Sequence, residues 1–221
     1  MGSRPKASTI GTGKTVELTK PNRDFRKAIA QLYLLDPDFQ QIETIAGNLE
    51  IRSYEPTFAS LVRIIVGQQL STKAADAIFL RLSESLEILP SPIATCAEEE
   101  LRKVGLSRAK VACCQTLAVA ILEGKIDLES FAKLPDEAIA TQLLQIKGIG
   151  KWTVEIFLLF CLQRLDILPA NDLALQVAYQ KLKNLSIRPT AKELIALVAP
   201  LTPYRGVVAH LLWHYYRYLH S

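Results

Sequence analysis

From Pro21 onward the apolar positions recur at helical spacing. In "FASLVRIIVGQQ", Phe58, Leu61, Val62 and Ile65 stand at i, i+3, i+4 and i+7, one face of a helix. "KVACCQTLAVAIL" repeats the pattern with Val111, Cys114, Ala118 and Ile121, and "YRGVVAHLLWHYYRYL" sets Val208, Leu211, Leu212, Tyr215 and Leu219 on one face. Thr95 with Glu98, and Thr190 with Glu193, fit the T-x-x-E capping box, in which each side chain closes a free amide at a helix start. Prolines at 90, 92, 135, 169, 189, 200 and 203 fall between the helical segments, where a residue without an N–H interrupts no ladder. Strand-type alternation is scarce. Only "EIFLLFCL" is short and apolar enough for a buried strand, and it runs on from a helix start. The pattern predicts an all-α fold of about ten helices, without internal repeats.

Composition agrees with a packed core. The chain has 221 residues, 49% hydrophobic and 22% charged, which excludes disorder throughout. Residues 1–20 are different: "MGSRPKASTIGTGKTVELTK" has few large apolar side chains and reads as a flexible basic tail. Its "GTGKT" imitates a phosphate-binding P-loop, but position 8, where that motif needs glycine, is Ser8, and no strand precedes it. The rest, 21–221, reads as one domain with two lobes and a cleft between them. One lobe spans about 55–165, including 143–157; the other joins 21–54 to 166–221.

A net charge of +4 suits a nucleic-acid partner without establishing one. Cys96, Cys113, Cys114 and Cys161 form no C-x-x-C pair, and no secretory apolar region opens the chain, so they read as reduced thiols of an intracellular protein. The longest apolar run, "IFLLFCL", is far short of the roughly 18 residues of a membrane span.

"LLQIKGIGKWTVEIF" (143–157) carries the most specific signal. Residues Pro135 to Ile146 read as a helix with Ile139, Leu143 and Ile146 inward, and a second helix begins near Gly150. Between them "KGIG" allows only a tight hairpin, with Gly148 and Gly150 free to take positive φ. The first amides of the second helix then point outward unpaired, an anion site flanked by Lys147 and Lys151. Such a clamp, Lys147 to Lys151 through Gly148, Ile149 and Gly150, contacts phosphate without reading sequence.

The string apolar-x-x-apolar-x-Gly-apolar-Gly-x-x resembles the helix-hairpin-helix DNA-binding motif. Three further strings follow the same order: "IVGQQLSTKAA", "LPAND", with Asp172 twenty residues after Trp152, and "PYRGVVAHLLW". Together, over about Tyr54 to Trp213, they resemble the helix-hairpin-helix DNA glycosylase superfamily, in its 3-methyladenine DNA glycosylase II branch. The resemblance implies an enzyme of base excision repair that binds double-stranded DNA containing alkylated bases, flips the damaged nucleotide and works as a monomer, in cytoplasm and nucleoid or in a nucleus.

It also implies roles. Asp172 faces C1′ of the flipped nucleotide, where a fixed anion stabilises the oxocarbenium-like charge or orients water; read by itself, Asp172 is a helix cap. Trp152 stands where strand-cleaving relatives carry a Schiff-base lysine, which implies a monofunctional enzyme that uses water and leaves an abasic site. Trp152 and Trp213 match pocket aromatics, suited to stacking on cationic 3-methyl or 7-methyl purines; by themselves they are core residues. Gln69 matches a wedge that fills the gap in the duplex. Main-chain carbonyls of Leu144, Ile146 and Gly148 match those holding a structural Na+ or K+. No cofactor is required. No cysteine follows Cys161, so the iron–sulfur cluster of endonuclease III-type relatives is not expected. His210 and His214 have zinc-helix spacing, but Leu211 replaces the glutamate of H-E-x-x-H and both read as structural. Val154 and Leu201 depart from common family residues, and Leu201 leaves the lesion range open. Two alternatives also stay open: a non-catalytic helix-hairpin-helix module, and a glycosylase/lyase for oxidised bases.

Overall fold

A computed structural model describes residues 23–49 and 51–220. The tail at 1–20, with its "GTGKT", lies outside the described residues. The described residues contain helices and no strand. In chain order these are α1 (Arg23–Leu35), α2 (Asp38–Ala46), α3 (Phe58–Gly67), α4 (Thr72–Ser85), α5 (Pro90–Thr95), α6 (Glu98–Lys103), α7 (Arg108–Leu122), α8 (Asp136–Leu143), α9 (Lys151–Phe160), α10 (Leu173–Leu182), α11 (Ala191–Val198) and α12 (Arg205–Leu219). Short 3-10 turns cover Phe131–Lys133 and Ala199–Leu201. There are thus twelve α-helices among the described residues, not ten, because α5 and α6 have six residues each, too few to show a 3.6-residue period.

Two T-x-x-E strings behave differently. Thr190 caps α11 as expected: its Oγ1 accepts from Glu193 N at 3.3 Å, and Glu193 Oε2 accepts from Thr190 N at 2.8 Å. Thr95 does not cap α6. It is the last residue of α5, started by Pro90, and its hydroxyl donates back to Ser91 O at 3.0 Å, while Ala97 stands at the start of α6 without a side-chain cap. The helix expected over Pro135–Ile146 stops at Leu143, where the chain tightens into i→i+3 bonds, Ile146 N to Leu143 O at 3.1 Å among them. Ile139, Leu143 and Ile146 are all buried.

"EIFLLFCL" lies mainly in α9, buried on nearly every side, so its apolar run is continuous instead of periodic. The same holds for α12, where Val207, His210 and His214 are buried as well as Val208, Leu211 and Leu212. α12 gathers α1, α2 and α10 around it, while α3 packs on α4, α7 and α9, and α7 carries α5 and α6. The two groups meet where Tyr54 N donates to Phe160 O at 2.9 Å and where the Phe160 ring lies 5.3 Å from Trp213. Lys183, at the end of α10, ties down the α1–α2 corner through Asp36 (2.7 Å) and Asp38 (2.6 Å). No single helix among the described residues is long and apolar enough to cross a membrane.

Candidate functional site

A cavity of about 960 Å³ opens where these groups meet, lined by side chains from α3, α4, α9, α10 and α12. Trp152, Asp172 and Trp213 all line it, although 61 residues separate the first from the last in sequence (213 − 152). Gln69 is not among its lining residues, but Gly67 and Leu70 on either side of it are.

Asp172 is both the helix cap and a cavity residue. The "LPAND" turn closes by a bond from Asp172 N to Pro169 O at 2.8 Å, which leaves Asp172 extended ahead of α10. Its Oδ1 accepts from Ala174 N at 2.9 Å and its Oδ2 from the Trp152 indole N–H at 3.2 Å. Two neutral donors thus fix the carboxylate, and no Lys, Arg or His among the described residues lies within ion-pair distance. Its charge remains uncompensated for whatever enters the cavity. The loop ahead of it is anchored from α12: Arg205 grips Asp166 through Nε (2.7 Å) and Nη2 (2.6 Å), and Gly206 N donates to Leu165 O at 2.7 Å. This is the role of "PYRG". A side chain at Gly206 would meet Leu165 O at 2.7 Å and Arg164 O at 2.8 Å.

The far wall is aromatic. Trp213 is half-buried against Phe160 and against His210, whose rings lie 5.3 and 6.0 Å away. His210 is 4% exposed and its Nε2 has no hydrogen-bond partner. Burial, helped by Arg217 and Arg52, pushes its pKa down to about 3, so the imidazole is neutral. His214 donates from Nε2 to Gly47 O, 3.0 Å away, and among the described residues no three His, Cys, Asp or Glu side chains gather. Arg52, Lys73 and Arg217 also line the cavity, and Arg63 is held by Asp76 at 2.6 Å over the Tyr54 ring.

The hairpin joins α8 to α9. Gly148 has φ +98° and packs its bare Cα against Cys113 of α7, where a Cβ would come within 2.9 Å of another. Gly150 is the extended N-cap of α9, and among the described residues the amides of Gly150, Lys151 and Trp152 have no acceptor. Lys147 and Lys151 are exposed beside them; Lys151 Nζ also lies 3.6 Å from Glu155. Ile149 departs from the expected clamp. Its side chain is buried and its amide is spent on Ile146 O at 2.9 Å, so it shapes the turn and offers no phosphate contact. Of the expected cation carbonyls, Ile146 O carries that bond and Gly148 O accepts from Gln68 Nε2 at 3.0 Å, which leaves each with a second lone pair.

Gln69 lies exposed between α3 and α4 at φ +57°, an uncommon left-handed conformation for a residue with a side chain. Its neighbour Gln68, and also Lys110, Asp166 and Arg205, shape the site without standing out in the sequence. The doubled glutamine and "PYRG" are the signals the sequence holds for Gln68 and Arg205.

Residues 62–203 match the HhH-GPD superfamily of base excision DNA repair proteins, and the chain belongs to that superfamily. It is 34% identical over 196 residues to DNA-3-methyladenine glycosylase 1 of Schizosaccharomyces pombe, covering 85% of this chain and 86% of the relative. The fold matches that of the S. pombe 3-methyladenine DNA glycosylase Mag1 in complex with abasic DNA, with a TM-score of 0.76 at 34% identity over 85% of this chain and 95% of that one. A DNA-3-methyladenine glycosidase from Bacillus halodurans is similar too, at a TM-score of 0.70 and 32% identity over 84% and 87% of the chains.

Proposed function

We propose that this protein is a monofunctional DNA glycosylase that hydrolytically excises 3-methyl and 7-methyl purines from duplex DNA and leaves an abasic site. The observation that carries the proposal is the carboxylate of Asp172, fixed by Ala174 N and the Trp152 indole at the mouth of an aromatic cavity and left without a cationic partner. A cationic methylated purine stacks favourably on indole faces, and its glycosidic bond breaks without a general acid. As the bond electrons leave with the base, positive charge grows on the sugar and Asp172 stabilises it; water then bonds to C1′ and gives its proton to solvent. With tryptophan at 152, and Lys151 exposed and turned toward Glu155, the amine for a Schiff base is not at that position.

In this reading residues 21–221 form one two-lobed domain acting wherever the genome is held. Lys147, Gly148, Gly150 and Lys151 hold backbone phosphate, Gln69 enters the duplex, and Trp152 with Trp213 receives the base. The carbonyls of Leu144, Ile146 and Gly148 would hold a Na+ or K+ that stiffens the turn. Release of 3-methyladenine or 7-methylguanine from alkylated duplex DNA is the test. Wild type should release both, and Asp172→Asn far less; equally little release by the two proteins refutes the enzymatic assignment, equally strong release refutes the role of Asp172, and a borohydride-trapped adduct refutes the monofunctional assignment.

A further inference from the structure

Gln69 occupies a four-residue link between two helices at φ +57°, and such a backbone persists only where its surroundings hold it. Two side chains do so. Lys110 of α7 reaches the carboxy end of α3 and donates to Val66 O at 2.7 Å and Gln68 O at 2.9 Å. Those carbonyls are the unpaired acceptors of a helix end, where a cation is favourable. Lys110 forms no ion pair with a carboxylate among the described residues, and burial lowers its pKa, so the α3 terminus is what it serves.

Gln68 then crosses to the hairpin. Its side-chain amide donates to Gly148 O at 3.0 Å and to the buried Thr153 Oγ1 at 2.9 Å, partners 80 and 85 residues away. α7 touches the hairpin as well: Cys113, one helical step from Lys110, is the residue against which Gly148 is packed. One face of α7 therefore abuts both the link that carries Gln69 and the turn that carries the free amides.

We propose that Gln68 and Lys110 are positioning residues that lock Gln69 to the phosphate-holding hairpin, so that anchoring the backbone sets the depth and angle at which Gln69 enters the duplex. The proposal rests on the roles given above to Gln69 and the hairpin. Neither Gln68 nor Lys110 touches the reacting atoms. Their effect passes through Gln69.

The test is a double-mutant cycle read by two signals. Base release is measured under single-turnover conditions on alkylated duplex, and flipping by the fluorescence of 2-aminopurine placed beside the lesion. Gln68→Ala should slow release and flipping by about ten- to a hundredfold, the scale of a misplaced positioning contact, with affinity for undamaged duplex changed less than about threefold. In a Gln69→Ala background the same change should add little, because the residue it positions is gone. Lys110→Met should behave like Gln68→Ala and Lys110→Arg, which keeps the donors, should restore most of the rate. Melting curves identify any variant that fails to fold, and the Lys110→Arg rescue then decides. Additive effects in the Gln69→Ala background, or unchanged flipping in both Gln68→Ala and Lys110→Met, overturn the proposal. If wild type flips but releases no base, the glycosylase assignment fails while the cycle still reads this inference through fluorescence.

Discussion

Trp152 donates its indole N–H to Asp172 Oδ2 across 3.2 Å, joining the first turn of α9 to the cap of α10. The hairpin and the carboxylate are thereby one step apart, since Trp152 is the second residue of the helix that the hairpin leads into. The cap of α10 and the anion proposed to act on the sugar are the same side chain, and the two duties can be separated by substitution.

Asp172→Asn keeps a carbonyl oxygen to accept from Ala174 N, so the cap survives and only the charge is lost. Base release should fall by about 10²- to 10⁴-fold while the melting temperature stays close to that of wild type. Asp172→Ala loses the cap too and should cost about 1 kcal/mol of stability in addition. Single-turnover release and thermal melting on the pair distinguish charge from capping.

Trp152→Phe retains an aromatic face and removes one of the two donors holding Asp172. A hydrogen bond to a charged group is worth about 1.5–3 kcal/mol, so release should drop at least roughly tenfold. Affinity for undamaged duplex should not move, because the main-chain amides of the hairpin are intact. A parallel loss of duplex affinity would place Trp152 in the anchor instead.

The two hairpin glycines should separate cleanly. Gly148→Ala forces a Cβ to 2.9 Å from that of Cys113 at a φ of +98°, and should destabilise the fold by about 1–3 kcal/mol. Gly150 has an ordinary extended φ and nothing within 4 Å of its added Cβ. Gly150→Ala should leave melting within about 0.5 kcal/mol of wild type and lose only DNA affinity, as the methyl group would stand in the way of a phosphate held as proposed. Melting and salt-dependent binding titrations check both.

What the chain revealed on its own follows from the range of each interaction. The Gly148–Gly150 hairpin, the cap at Asp172 and the box at Thr190 are local patterns, complete within a few residues, and each formed as expected. Thr95–Glu98 carries the same letters as Thr190–Glu193 and did something else, because Pro90 starts a helix that uses Thr95 up. Gln68 and Lys110 were not legible at all. Their partners lie 80 and 44 residues distant, and only the approach of α7 to the end of α3 gives either a role. Ile149 shows the opposite error: reading the tight turn as a run of free amides puts it in the clamp with its neighbours, whereas its side chain is buried and its amide bonds Ile146 O.

His210 yields the last prediction, a dependence of stability on pH. Its folded pKa is depressed from 6.5 to about 3, foremost by burial. Above pH 6.5 both states are neutral and the group contributes no slope. Below it the unfolded chain takes up a proton that the folded one refuses, so stability should decline by up to about 1.4 kcal/mol per pH unit as pH falls toward 3. Between pH 6.5 and about 5 ordinary carboxylates are still ionised in both states, so this interval isolates histidine. Glu155, whose carboxyl is pushed up by burial, acts in the opposite sense, which makes a comparison of variants cleaner than a single profile. His210→Phe preserves ring packing against Phe25, Phe160 and Trp213 at 5.1, 5.3 and 6.0 Å and removes the unpartnered Nε2. Urea unfolding from pH 7 to pH 5 should show a steep fall for wild type and a flatter one for the variant. Equal slopes would mean that the buried imidazole is not the group responsible.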